Sequence, residues 1–131
     1  MKILYAARMA RFDHLRAICG LAQFITKWDD ECDRKLYRLV CYINSTLDMR
    51  MTGWVGDECK WWIPHVFADA DFAGCSKTSR STSGLFSCML GPNTVFPLTG
   101  QSKRQGCVSH STPEAEVVAA DMPCVPLGYP R

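Results

Sequence analysis

The stretch FADADFAGCSKTSRSTSG, residues 67 to 84, ends a short apolar run with two carboxylates one residue apart, Asp69 and Asp71, and then enters a Ser/Thr-rich loop. Acid at the end of a buried strand loses solvation unless a basic partner, backbone donors or a cation compensates it. A second acidic pair, Glu114 and Glu116, opens the segment STPEAEVVAA. If Glu116 faces Asp69, the two carboxylates offer oxygen ligands of the kind that magnesium takes. The chemistry that uses such a site is phosphodiester hydrolysis, in which two ions roughly 4 Å apart activate the attacking water and stabilise the leaving oxygen. Two ions need more than two carboxylates.

Between Asp71 and Glu114 there is no acidic residue, whereas Lys77, Arg80, Lys103 and Arg104 are all basic. That local surplus is suited to holding a phosphate backbone near the acids, with a solvated loop surface as the equal alternative. Asp71 and Glu114 read more simply as a turn aspartate and a helix-start acid. His65 and His110 read as structural rather than catalytic. Trp54, Trp61 and Trp62 read as packing residues rather than base-stacking ones, and nothing beside Cys75 or Cys107 in sequence activates a thiolate.

The elements that must position the acids follow from periodicity. HVFAD predicts a strand with His65, Phe67 and Asp69 on one side. LFSCML, GPN and TVFPL predict a hairpin, whose second arm must be an edge strand or carry a bulge because Pro97 cannot donate to a ladder. STPEAEVVAA predicts a helix with Thr112 as N-cap and Pro113 at its first position. Pro123, Pro126 and Pro130 cannot continue it, so order is expected to fade after about Asp121.

In the N-terminal half, Leu15, Ile18, Cys19, Ala22 and Ile25 recur at steps of three and four and predict a helix over 12–27. Asp29, Asp30, Glu31 and Asp33 open a second helix, carried on one face by Cys32, Leu36, Leu39, Val40 and Ile43 and ending near residues 44–46. The short connection predicts an antiparallel pair. DMRMTGWVGDECKWWIP then reads as a loop-rich joint between two halves.

With 131 residues, 47% hydrophobic and 21% charged, the chain has room for one modest domain or one and a half small ones. The formal charge of +2 is too near balance to argue for a nucleic-acid or membrane partner by itself. No apolar run approaches a membrane span, and the arginines of MKILYAARMARF follow its apolar stretch, the reverse of a secretory leader, so an intracellular protein, cytoplasmic or nuclear, is expected. The eight cysteines are spaced 9 to 19 residues apart with no zinc-type pairs, which favours free thiols over framework disulfides.

FADADFAG, RSTSGLF, the turn glycine Gly91, QSKRQ and STPEAEVVAA resemble, in order and spacing, the ribonuclease H domain of copia-type (Pseudoviridae) retrotransposon Pol polyproteins. Residues 6 to 57 resemble the segment that follows the reverse transcriptase palm, so the resemblance covers nearly all of 4–121. It implies an α/β fold: a truncated ribonuclease H-like layer, with a three-stranded antiparallel sheet plus one helix, preceded by the helix pair. The domains implied are a helical connection segment, 1–60, and a partial ribonuclease H-like domain, 61–131. It also implies magnesium, or manganese, as cofactor, with Asp69 and Glu116 as catalytic metal ligands and an RNA/DNA hybrid and the remainder of the Pol polyprotein as partners.

In the family, the helix leads to a further strand whose end carries another catalytic aspartate, and a fourth acid follows. Neither occurs in these 131 residues, so at most half of the metal site and little or no cleavage are expected from this chain alone. A noncatalytic nucleic-acid-binding or assembly module is the alternative. A sheet whose Asp69 strand lies at the edge is expected to self-associate there.

Overall fold

The computed structural model describes residues 2–75 and 78–121, so the proline-rich tail, Cys124 and Lys77 lie outside the described residues. The chain forms two compact units, Met1–Met51 and Thr52–Arg131.

The first unit is helical: α1 (Lys2–Met9), a 3-10 turn at Phe12–His14, α2 (Leu15–Ala22) and α3 (Asp30–Ser45). The expected pair is therefore preceded by a further helix, α1. The predicted helix over 12–27 is also shorter: it starts as a 3-10 turn and stops at Ala22. Beyond that, Phe24 N–H bonds Leu21 O and Lys27 N–H bonds Phe24 O, the tight i to i+3 pattern in which a helix unwinds. The β-branched Ile25 and Thr26 favour that ending.

α3 begins where the acids predicted. Asp29 is extended and its carboxylate accepts from Cys32 N–H at 2.8 Å, and Asp30, Glu31 and Asp33 follow in the first turn. Leu21, Cys32 and Leu39 form the buried cluster, with Ile3, Ile18, Leu36 and Ile43 packed on it.

The antiparallel arrangement of α2 and α3 is visible in what joins the start of one to the end of the other. Arg11 donates to Thr46 O at 3.0 Å and Thr46 Oγ1 at 2.8 Å, and grips both oxygens of Asp13 at 3.1 and 2.9 Å. Tyr42 donates to Asp13 Oδ2 at 3.2 Å. The Arg11 guanidinium holds the Asp13 carboxyl below its usual range, against a smaller opposing effect of burial. Beside this junction His14 is 2% exposed, packs edge-on to the Tyr42 ring at 5.3 Å, and has no hydrogen-bond partner on either ring nitrogen.

The second unit carries a 3-10 turn at Cys59–Trp61, then β1 (Ile63–Asp71), β2 (Thr82–Gly91), β3 (Thr94–Arg104) and α4 (Thr112–Asp121). The strands form one antiparallel sheet in the order β1-β2-β3. Pro97 satisfies both alternatives the sequence offered: β3 is an edge strand, and its register jumps from Thr99 to Pro97 opposite Ser87 and Cys88, leaving Leu98 unpaired as a bulge.

The outer side of β3 is clasped by the segment that precedes the sheet. Trp54 and Val95 exchange two backbone bonds at 2.8 and 2.9 Å. Asp57 accepts from Asn93 N–H at 2.7 Å, Asn93 Nδ2 at 3.2 Å and Thr94 Oγ1 at 2.7 Å. Thr94 Oγ1 in turn accepts from the amides of Gly56 and Asp57 at 3.2 and 3.1 Å. The hairpin turn needs Gly91 for this, since a Cβ there would sit 2.6 Å from Asp57 Oδ2. Residues 54–57 are fastened to the hairpin and belong to the second unit, which runs from Thr52.

α4 packs on β1 and β2 through Ala115 and Ala119, both 0% exposed. Its cap is Ser111 rather than the expected Thr112: Ser111 Oγ accepts from Glu114 N–H at 3.4 Å and Ser111 O from Ala115 N–H at 3.1 Å. Among the described residues, four helices with a three-stranded antiparallel sheet make an α/β protein, and the β-β-β-α order of the second unit is consistent with a truncated ribonuclease H-like fold. Among the described residues, no helix is long and apolar enough to cross a membrane.

Candidate functional site

Asp69 lies near the end of β1, exposed, directly opposite Gly84 of β2. Residues opposite each other in an antiparallel pair share a face, so His65, Phe67, Asp69 and Asp71 stand with Cys88, Phe86, Gly84 and Thr82. On this face the rings of His65, Phe67 and Phe86 stack in sequence at 6.4 and 6.3 Å. The backbone beside Asp69 is bare: a Cβ at Gly84 would meet nothing nearer than Asp69 O at 4.0 Å.

Asp71 behaves as the turn residue its context suggested. Its side chain folds over Gly74, where any Cβ would collide with the carboxylate, and its carbonyl accepts from Gly74 N–H at 3.4 Å. Ala73 takes the left-handed conformation at φ 52° and donates to Ser81 Oγ at 3.1 Å. Ser81 is fully buried, so Ala73 is tied directly to the residue that precedes β2.

The opposite face carries Ser83 and Leu85, both buried, and this is where α4 is fastened. Gln105, 5% exposed, donates from Nε2 to Ser83 Oγ at 3.0 Å and to Ala115 O at 2.9 Å, and its Oε1 accepts from Ser109 at 3.2 Å. Gln105 N–H completes the junction by donating to Ser81 O at 2.9 Å. Every polar atom of the buried amide is thus engaged, which removes the penalty that burying it would otherwise carry.

Glu116 follows buried Ala115 and is exposed, in the second turn of α4. Glu114 turns back instead, its Oε2 accepting from His110 N–H at 2.7 Å. The two expected ligands therefore sit on elements in direct contact, while strand alternation sends Asp69 to the face opposite Ser83, where the helix is attached. Among the described residues, no three His, Cys, Asp or Glu side chains come together as a metal-holding group.

Of the basic residues, Lys103 is opposite Ser83 and exposed, whereas Arg104 is opposite Thr82 and half-buried, so the two point to different faces of β3. Arg104 shares the face of Asp69. Arg80 is half-buried shortly before β2, with its carbonyl accepting from Cys75 N–H at 3.3 Å.

The residue with the most connections at this site, Gln105, closes the QSKRQ motif, but the sequence assigned it no role of its own. A glutamine after two cations and before a glycine reads as solvent-exposed, and only the approach of α4 buries it.

Part of the chain is similar to the uncharacterized mitochondrial protein AtMg00810 of Arabidopsis thaliana, with 39% identity over 64 residues, 49% of this chain and 25% of that protein. The chain thus matches about a quarter of that relative's length. No protein-family model matches the chain, and no solved structure matches it.

Proposed function

We propose that this chain is part of a copia-type retrotransposon Pol polyprotein, joining a helical connection segment to a domain of the ribonuclease H lineage. Its ancestral reaction is magnesium-dependent hydrolysis of the RNA strand in RNA/DNA hybrids. The observation that carries this reading is the order of β1, the β2/β3 hairpin and α4, with Asp69 near the end of the first strand and Glu116 on the helix packed against it.

Bound divalent ions supply the activated water and the charge that stabilises the leaving oxygen. What this chain's residues contribute is narrower. Asp69 offers an exposed carboxylate with open space at Gly84, and Gln105 fixes the helix that carries Glu116. The remaining ligands would come from outside the described residues. The chain alone is expected to leave a magnesium-loaded hybrid essentially uncleaved, and manganese titration is expected to show weak binding lost in Asp69→Asn and in Glu116→Gln. Ion binding indifferent to both substitutions would remove these residues from the site. Robust cleavage abolished by Asp69→Asn would instead mean that the ligand set is already complete.

A second reading, a noncatalytic nucleic-acid-binding module, is favoured by the exposed Lys103 and by Arg104 on the Asp69 face. It requires salt-dependent binding of hybrid that weakens in Lys103→Ala and Arg104→Ala. Binding unaffected by both would eliminate it.

A further inference from the structure

His14 closes the 3-10 turn between α1 and α2 and is buried. Neither of its ring nitrogens finds a hydrogen-bond partner among the described residues. The charged groups that act on it are Asp13 and Arg11 beside it in the chain, and the titratable group against its ring is Tyr42 of α3, edge-on at 5.3 Å. Arg8 of α1 acts on Cys19 of α2 instead. A neutral imidazole loses little in this place, whereas an imidazolium carries two N–H donors and needs an acceptor for each.

The nearest anion is already occupied. Asp13 Oδ2 stands 3.4 Å from His14 Nδ1 without accepting from it, and accepts instead from Arg11 Nη2 at 2.9 Å and from the Tyr42 hydroxyl at 3.2 Å. Arg11 also donates to Thr46 O at 3.0 Å and Thr46 Oγ1 at 2.8 Å. The end of α3 therefore hangs on this carboxylate twice, through Tyr42 directly and through Arg11 to Thr46. We infer that His14 is a proton-operated latch on that end: the neutral ring lets Tyr42 and Thr46 close over it, and the imidazolium drives them off so that water reaches both of its donors.

Arg11 keeps Asp13, two residues along, when Thr46 leaves. The opening is local, because Leu21 and Cys32 of the buried cluster lie toward the other end of the antiparallel pair. The chain leaves the helical unit through residues 47–51, so the latch sets how firmly that exit is held. Burial holds the imidazole below its ordinary 6.5, with Asp13 opposing and Arg11 adding to the lowering. The closed form is thus fully favoured above about pH 6.5 and loses ground as pH falls toward the lower closed-state value. Arg11 holds the Asp13 carboxyl below 3.8, so at pH 5 it is still ionised and His14 is the member of the cluster that takes up a proton on opening. None of this depends on the ancestry proposed for the second unit.

Nuclear magnetic resonance of the full chain tests the latch, through amide hydrogen-exchange protection at pH 7 and pH 5 and through titration of the His14 ring. The amides of residues 42–46 are expected to lose about tenfold in protection between those pH values. Those around Leu36 are expected to hold theirs, and the ring is expected to titrate below 6.5. His14→Phe retains a ring against Tyr42 and is expected to abolish the step. Tyr42→Phe vacates a place on Asp13 Oδ2 for the imidazolium, so the His14 titration is expected to move up and the step to shrink; this variant decides the matter if His14→Phe does not fold. The latch would be overturned by a wild-type chain without the step, by a loss of protection equal throughout α2 and α3, by a step that survives in His14→Phe, or by a His14 titration that Tyr42→Phe leaves in place.

Discussion

Gln105 donates from its side-chain amide to the Ser83 hydroxyl at 3.0 Å, with both residues buried. This bond ties the end of β3 to β2, and the second bond of the same amide, to Ala115 O, ties both to α4.

Replacing Gln105 with leucine keeps the volume close but leaves Ser83 Oγ and Ala115 O without that donor in a buried place. A loss of about 1–3 kcal/mol of stability is expected, the usual cost of unsatisfied buried groups. Urea unfolding followed through Trp54, Trp61 and Trp62 measures it, and an unchanged midpoint would show that α4 is held by its alanines alone.

The clasp between Asp57 and the hairpin turn predicts a particular acid sensitivity. The Thr94 hydroxyl holds the Asp57 carboxyl below its ordinary value of 3.8, aided by the donors of Asn93 and opposed by desolvation. The unfolded chain therefore binds the proton more readily. The clasp's contribution is complete above about pH 4 and is lost as pH falls through the lower folded-state value. Thr94→Val is expected to lower the urea midpoint at neutral pH and to flatten its fall in acid. A variant with the wild-type acid profile would mean that the hydroxyl is not what depresses the carboxyl.

His14 predicts a pH effect in the helical unit. Burial lowers its imidazole below 6.5, only partly offset by Asp13 at 3.4 Å, and Arg11 adds a smaller lowering effect. Protonation favours the unfolded chain, so stability is full above about pH 6.5 and declines as pH falls through the folded-state value. His14→Phe retains a ring against Tyr42 and removes the titration. Thermal unfolding at pH 7 and pH 5 is expected to differ in the parent and to differ less in the variant. Equal shifts in both would place the effect elsewhere.

Much of the frame is legible in the sequence because it rests on local chemistry. Four acids announce the start of α3, Pro97 announces an irregular edge, and alternation around Phe67 announces β1. Asp69 and Glu116 fall on the elements expected of them. Partnerships made only by folding are less visible. α1 has no capping acid to mark it, and Ile25 and Thr26 end α2 before the apolar period does. Gln105 and His14 look solvent-facing until a helix covers them. The face on which Asp69 stands is set by strand register, whereas the attachment of α4 is set by a buried amide, and no spacing of letters encodes how those two geometries meet.

The obstruction of β3 has a consequence for how far any assembly could extend. A chain with two open edges adds neighbours indefinitely and ends as a fibre. Here the Trp54 bridge and the Leu98 bulge guard the β3 side, so a strand of another chain meets no uninterrupted row of backbone donors and acceptors there. The residues to alter if one wanted growth through that border are Trp54, Pro97 and Leu98.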